Sequence, residues 1–330
     1  VRVVYDPEAR RSMGPSVFDD RPHAVTIGVF DGVHLGHRWV IDSTAQAAAQ
    51  LGAATAVVTF DPHPAAVLRP DLAPRLLTGL DQKLDLLEGA GVDSVVVVRF
   101  DHERAGERAE DFVTAVLVDC LRARAVIVGH DFQFGKDRKG DVDLLTELGG
   151  EYGFEVRPLS LMSNPPTAGA QGRPVSSTAI RAALAEGDVV SARHLLGRPH
   201  EVTGTVVTGD RRGRTIGFPT ANVAVEPNRA VPADGVYAGW FHLPPDDEHP
   251  AGRSWPAAIN IGKRPTFHHD AEHSVIEAHL IDFEGDLYGV HAAVGFEARL
   301  RGEQRFDGIE ALATQLQTDI AVARSLLQSD

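Results

Sequence analysis

The sequence holds a single cysteine, Cys120, in 330 residues. One thiol forms no intrachain disulfide and cannot build a usual cysteine-based zinc site. Long apolar runs are also missing: the stretch 95–98 is typical, far below the ~20 residues that cross a bilayer as a helix. No apolar leader follows the opening residues, so no signal peptide, no membrane partner and a cytoplasmic setting are expected. Lysine is scarce, standing only at 83, 136, 139 and 263, while the other 28 basic residues are arginine. That imbalance reads as compositional bias. Positive charge is outweighed, with 46 acidic residues against 32 basic and a net charge of −14. A chain of that sign is poorly suited to grip long nucleic acid, so no nucleic-acid partner is expected; a local basic pocket for a small phosphorylated ligand stays compatible. What is present is ordinary for a globular protein, with 43% apolar and 24% charged residues, which argues against extensive disorder. At ~150 residues per domain the length predicts two domains.

The first half alternates short apolar runs with stretches of helical period. Residues 24–27, 56–60, 95–98, 125–128 and 154–156 read as strands. Val40, Thr44, Ala47 and Leu51 recur as on one helix face, as do Phe112, Val116, Leu117 and Cys120. Thr78 with Asp81 resembles a helix start whose face continues through Leu80, Leu84 and Leu87. Strands alternating with helices predict a parallel sheet that binds ligands beyond the carboxyl ends of its strands. After about Gly187 the rhythm changes. Between 203 and 301 short strand-like runs, such as 205–207, 235–238 and 275–281, are split by Gly, Pro and Asp, which predicts a small antiparallel barrel. A terminal helix with Ile309, Leu312, Leu316 and Ile320 on one face is expected, opened by an Asp307/Glu310 capping box. Segments 164–174 and 243–256 read as loops.

Chemistry concentrates at strand ends. The run Gly28-Val29-Phe30-Asp31-Gly32-Val33-His34-Leu35-Gly36-His37 follows a predicted strand and opens a predicted helix. Backbone N–H groups at such a start attract phosphate. His34 and His37 stand three apart and can face one ligand, where imidazolium groups would stabilise developing phosphoryl charge. Taken alone, an H-x-x-H pair is more often incidental. Asp61-Pro62-His63-Pro64, Asp131-Phe132-Gln133-Phe134 and Ser177-Thr178-Ala179-Ile180-Arg181 fall after other predicted strands or at a helix start. Ser177 or Thr178 could cap that helix and Arg181 could meet phosphate oxygens, although a Ser/Thr cap is usually only a cap.

The second half carries a glycine- and arginine-rich turn with Gly209, Gly213, Arg214 and Gly217, followed by Phe218-Pro219-Thr220-Ala221-Asn222. Such a turn can approach a polyphosphate closely, or can be a solvated hairpin. Thr220 and Asn222 alternate onto one side of an extended segment and offer neutral oxygens that, with ATP phosphates, suit Mg²⁺. Alternation also sets Val275, Glu277 and His279 against Ile276, Ala278 and Leu280. If the second set is core, Glu277 faces a cleft or solvent, where it could accept a proton from an alcohol or serve as a surface glutamate.

Together the motifs G-x-F-D-G-x-H-x-G-H, T-F-D-P-H-P, V-G-x-D-F-x-F-G, S-S-T-x-I-R, G-F-P-T-A-N and E-x-H-L-x-D-F-x-G-D-L-Y-G closely resemble those of prokaryotic bifunctional riboflavin kinase/FAD synthetases, in the family's order. The resemblance implies a Rossmann-like nucleotidyltransferase α/β domain over 1–187 and a riboflavin kinase barrel over 188–330. Its implied substrates are riboflavin, FMN and ATP with Mg²⁺, and its implied products FMN and FAD. It also implies the residue roles. His34, His37 and Arg181 would act in adenylyl transfer, with Gly28, Phe30, Asp31, Gly32, Gly36, Ser177 and Thr178 around the nucleotide. Asp61, Pro62, Asp131, Phe132 and Arg301 would contact flavin. Gly209, Gly213, Arg214 and Gly217 would hold the kinase nucleotide, Thr220 and Asn222 its metal, and Glu277 would be the general base. Gln133 departs from the arginine frequent at its place in the family. Two rivals stay open: a nucleotidyltransferase for another phosphate acceptor, and a flavin-binding regulator without turnover. A homo-oligomer is compatible with the sequence, but nothing in it establishes one.

Overall fold

The computed structural model describes residues 1–5, 21–159, 175–209, 217–263 and 274–328. The chain divides into two compact units, 1–74 with 80–167 and 75–79 with 168–330.

The first unit is built on a six-stranded parallel sheet of order β1-β4-β3-β2-β5-β6. Its strands are β1 (Arg2–Tyr5), β2 (His23–Ile27), β3 (Ala54–Asp61), β4 (Ser94–Arg99), β5 (Ala123–Gly129) and β6 (Glu155–Leu159). Every residue of β2 is buried. Burial on both faces explains why these strands read as unbroken apolar runs rather than as alternation. The order reverses at β2, with β3 on one side and β5 on the other, so the crevice of the sheet opens beyond the end of β2.

Helix α1 (Leu35–Leu51) starts at that end and stops at Gly52, whose left-handed backbone (φ 61°) closes it. Its buried face is Ile41, Thr44, Ala47 and Ala48. Leu51, expected on that face, is 41% exposed, because the helix ends there. Helix α2 (Leu80–Glu88) buries Leu84 and Leu87 as expected, and Lys83 with them. Helix α3 runs from Ala109–Phe112 into a π-helical stretch, Val113–Cys120, and buries Phe112, Val116, Leu117 and Cys120. Helix α4 (Val142–Tyr152) leads to β6, which extends beyond the expected 154–156.

The second unit contains a closed antiparallel barrel of order β10-β11-β8-β7-β12-β9. These strands are β7 (His200–Val207), β8 (Ala221–Val225), β9 (Gly235–Leu243), β10 (Arg253–Lys263), β11 (Ser274–Leu280) and β12 (His291–Arg301). Inward residues such as Tyr237, Phe241, Ile259, Ile276, Val294 and Phe296 fill it. Helices α5 (Ser177–Glu186) and α6 (Val189–Leu196) add Ile180, Leu184, Ala192 and Leu196 to the same core. The expected domain boundary at 187/188 falls between them.

Several expectations are corrected here. Residues 253–256 are strand rather than loop: Pro256 pairs with Trp240, and its carbonyl, the only backbone hydrogen-bonding group proline keeps, accepts from the N–H of Ile281 at 2.8 Å. The expected loop at 164–174 lies outside the described residues. Helix α7 (Ile309–Leu327) has Gly308 at its N-cap and no side-chain cap, so the Asp307/Glu310 box does not form. Its fully buried positions are Asp319, Ala323 and Leu327, while Ile309 is 67% exposed. The predicted stripe Leu312, Leu316 and Ile320 lines a cavity at the barrel, and Ile320 also packs against the small core of Ala238, Ile281, Ala323 and Leu327.

Candidate active sites

In the first unit the loop after β2 is bent through three positive φ angles, Phe30 (52°), Gly32 (84°) and Val33 (38°). Phe30 and Val33 are not glycines, and both are 2% exposed, packed among Val57, Val95 and Val97. Burial therefore holds a strained backbone. His34 is the N-cap of α1: its Nδ1 accepts from the N–H of His37 at 3.2 Å. The two imidazoles stack with centroids 3.6 Å apart and planes 13° from parallel, and Phe30 tilts against His37 at 5.0 Å. Burial, then His34, then Lys83 hold His37 well below the ordinary histidine pKa. That downward shift favours the neutral imidazole at His37 before any phosphate arrives. Its Nδ1 is buried and has no hydrogen-bond partner among the described residues. Gly28 ties the loop back through its N–H to the carbonyl of Val58 at 3.0 Å. Asp31 and Gly32 are buried and Gly36 is half-buried.

Lys83 is the residue that sequence reading left without a role. It is 6% exposed, and its Nζ donates to the carbonyls of Val29 (3.3 Å) and Phe60 (3.2 Å) and to Thr59 Oγ1 (3.1 Å). Thr59 Oγ1 donates in turn to the carbonyl of Val29 at 3.0 Å. Burial lowers the Lys83 pKa to about 8, with Asp61 and Asp31 acting in the opposite direction. A signal was present: 83 shares the 80, 84, 87 helix face, where a lysine is out of place unless partnered.

Asp61 and Pro62 are exposed at the end of β3, joined by a cis peptide bond. Asp131 is exposed after β5, and Phe132 is half-buried beside Phe134 at 5.3 Å. Phe112 links Phe134 (5.9 Å) to Phe60 (6.5 Å), so one aromatic cluster joins the ends of β3 and β5. Ser177, Thr178 and Arg181 stand in the first turns of α5 in the second unit. The cap there is Ser176, whose Oγ accepts from the N–H of Ala179 at 3.1 Å, so neither Ser177 nor Thr178 caps the helix.

The barrel brings the remaining residues together. Register places Asn222 of β8, Glu277 of β11 and Asn260 of β10 side by side across three strands. The alternate residues Ile276 and Ala278 are fully buried, which turns Glu277 toward a cavity of about 680 Å³ shared with Thr220, Asn260, Arg301 and the α7 stripe. A second cavity, about 470 Å³, is lined by Gly209, Thr220, Asn222 and Asp286. Thr220 borders both. A methyl group on Gly209 would collide with the side-chain amide of Asn222. Gly217 takes φ 86° before Phe218, and Gly213 and Arg214 lie outside the described residues.

Two unforeseen contacts shape this site. The Nδ1–H of His279 donates to the carbonyl of Pro219 at 2.8 Å, and its ring meets Phe218 edge-on. Arg301 donates from Nε and Nη2 to Asp319 of α7, the shortest bond being 2.8 Å, and Gln315 donates to the same carboxylate at 2.9 Å. The guanidinium fork of Arg301 is therefore spent on holding α7, while its side chain still lines the cavity.

A phosphate-suited loop at the crevice of a doubly wound sheet, and a carboxylate beside neutral oxygens at a barrel cavity, define an enzyme that moves nucleotidyl and phosphoryl groups. Comparisons narrow the class. The family model described as FAD synthetase matches residues 17–179, and the one described as riboflavin kinase matches 196–327. The bifunctional riboflavin kinase/FMN adenylyltransferase of Pseudomonas fluorescens is 40% identical over 93% of this chain and 94% of its own. That of Escherichia coli K12 is 40% identical over 91% of each, and that of Bacillus subtilis 37% identical over 89% of each. The chain belongs to the bifunctional riboflavin kinase/FMN adenylyltransferase family and is an enzyme with both activities. A solved structure described as a macrolide-efflux protein from Streptococcus pneumoniae superposes with a TM-score of 0.81 and 28% identity, covering 98% of this chain and 99% of its own. Among the described residues no helix is long and apolar enough to cross a membrane.

Proposed function

We propose that the barrel phosphorylates riboflavin to FMN and the α/β unit then adenylylates FMN to FAD, each with its own residues. The observation that carries the kinase reading is the register pairing of Glu277, which lines the cavity walled by apolar α7 side chains, with Asn222, which lines the neighbouring cavity beside Gly209. A planar flavin fits the apolar wall, and its ribityl chain then reaches the polar row. Glu277 accepts the proton of the ribityl 5′-hydroxyl as that oxygen attacks the γ-phosphorus and ADP leaves. Gly209 leaves room for nucleotide phosphates beside Asn222, and the family resemblance assigns Gly213, Arg214 and Gly217 to the same nucleotide.

Mg²⁺ suits this donor set. Thr220 and Asn222 supply hard, neutral oxygens, and no group of three His, Cys, Asp or Glu able to hold a metal occurs among the described residues. The ion would therefore be held chiefly by ATP phosphates, whose charge it neutralises when bound.

In adenylyl transfer a phosphate oxygen of FMN attacks the α-phosphorus of ATP and pyrophosphate leaves, so no base is needed. His34 and His37 meet the nucleotide phosphates, and the unpartnered Nδ1 of His37 is the group poised to gain a contact. Arriving negative charge raises the pKa of His37 and favours the imidazolium there. The family resemblance also assigns Ser177, Thr178 and Arg181 to ATP phosphates. Asp61, Pro62, Asp131 and Phe132 border the flavin at the ends of β3 and β5. Consumption of ATP at both sites points to the cytoplasm.

Paired substitutions test the assignment. Glu277→Gln should slow FMN formation from riboflavin while FAD formation from supplied FMN continues, and His37→Ala should do the reverse. Loss of both activities from either change, in a folded protein, would reject separate sites.

A further inference from the structure

Lys83 lies outside both the histidine loop and the flavin-bordering residues, yet it is the one cation buried beneath them among the described residues. Its three hydrogen bonds reach two segments distant in sequence. Val29 belongs to the loop after β2; Thr59 and Phe60 end β3. These are the strands that flank the crevice on one side, and the acceptors include two main-chain carbonyls with no ladder partner across that gap. An ammonium has three donors in tetrahedral array, and here all three are used. Removing it takes a donor from the Phe60 and Val29 carbonyls, and leaves the histidine loop tied to β3 only through Thr59 Oγ1 to Val29 and Gly28 to Val58. The titratable groups that interact with Lys83 are Asp61 from β3, Asp31 from the β2 loop and His37 from α1. His37 is disfavoured as a cation partly by Lys83 itself, so in the free site the positive charge resides on the lysine.

From this geometry we infer that Lys83 is a positioning residue for adenylyl transfer: its ammonium fixes the separation of the histidine loop and the end of β3, and supplies the positive charge beneath the nucleotide phosphates. The inference rests on the reading of the His34/His37 loop as the transfer site. Binding of phosphate is then favoured only while Lys83 is protonated. Since burial brings its pKa to about 8, the charge is present below that pH and lost above it. His37, shifted downward, titrates on the acid side and does not contribute to an alkaline limb.

The experiment measures kcat/KM for ATP in FMN adenylylation from pH 6 to 10, for wild type, Lys83→Met and His37→Ala, with riboflavin phosphorylation followed in the same preparations. In wild type, FAD formation should fall about tenfold per pH unit above roughly pH 8, with no matching fall in the kinase. Lys83→Met should lower FAD formation at pH 7 at least tenfold, abolish that limb, and leave the kinase within twofold. A Lys83→Met enzyme within threefold of wild type, or one that keeps the limb, overturns the proposal. If the variant fails to fold and both activities vanish, the wild-type profile decides: a limb confined to adenylylation supports the role, and its absence rejects it. His37→Ala separates the two ideas. Full FAD formation in that variant shows that the loop is not the transfer site, whereas an inactive His37→Ala beside an active Lys83→Met sinks the lysine alone.

Discussion

In the proposed kinase site, Glu277 and Gly209 would act through what stands next to them. Strand β11 buries Ile276 and Ala278 and so turns Glu277 to the cavity, where it would serve as the proposed base. Glu277→Gln keeps its shape and removes its basicity. Riboflavin phosphorylation should fall about 10²- to 10⁴-fold in kcat, the usual worth of a positioned base; a fall below threefold would show that the hydroxyl needs no base here. Gly209→Ala tests a steric argument. The new methyl displaces the amide of Asn222, and displacements of about 1 Å cost up to about 10²-fold in rate. Single-turnover phosphorylation should slow while FMN adenylylation stays unchanged.

Helix α7 and strand β7 carry predictions at the scale of the element. The helix is fastened to the barrel by Arg301 and Asp319, whose side chains are 14% and 4% exposed. Asp319→Ala leaves a buried guanidinium unpaired, which costs about 3–5 kcal/mol. The unfolding free energy of the barrel should drop by that order and the KM for riboflavin should rise, because the same helix supplies the cavity wall. His200, at the start of β7, is 2% exposed, and its Nε2–H donates to the carbonyl of Ala230 at 2.8 Å. Burial lowers its pKa to about 4. The unfolded histidine takes up a proton near pH 6.5 and the folded one does not until about pH 4. Stability is therefore full above the unfolded pKa and is lost as pH falls through that window, by roughly 3 kcal/mol. Urea unfolding at pH 7 and pH 4.5, followed by tryptophan fluorescence, should show a smaller acid loss in His200→Gln, whose amide can still donate to Ala230. Equal acid losses in the two proteins would place the pH dependence elsewhere.

For the whole molecule, the two activities in one chain predict a sequence of products. Incubated with riboflavin, ATP and Mg²⁺, the protein should release or retain FMN first and accumulate FAD later, with both steps halted by EDTA. FMN without FAD would leave the barrel chemistry intact and direct attention to Gln133, where the family often has arginine. Flavin bound without turnover would favour the regulatory rival.

The local pattern of the chain was enough to determine the alternating strands and helices of the first unit, the barrel of the second, and the face on which Glu277 stands. Those features follow from periods of 2 and 3.6 residues, which depend on near neighbours alone. Motif spacing singled out His34, His37, Thr220 and Asn222 as candidates. What only the tertiary structure decided are meetings between distant residues: Lys83 with Val29 and Phe60, His279 with Pro219, and Arg301 with Asp319. The same holds for the α7 stripe, legible as apolar but lining a cavity, and for His37, whose pKa is lowered by burial, by His34 and by a lysine far along the chain. Periodicity tells which residues share a face; which groups end within hydrogen-bond reach across that face depends on strand order and register, and these exist only once the chain has folded.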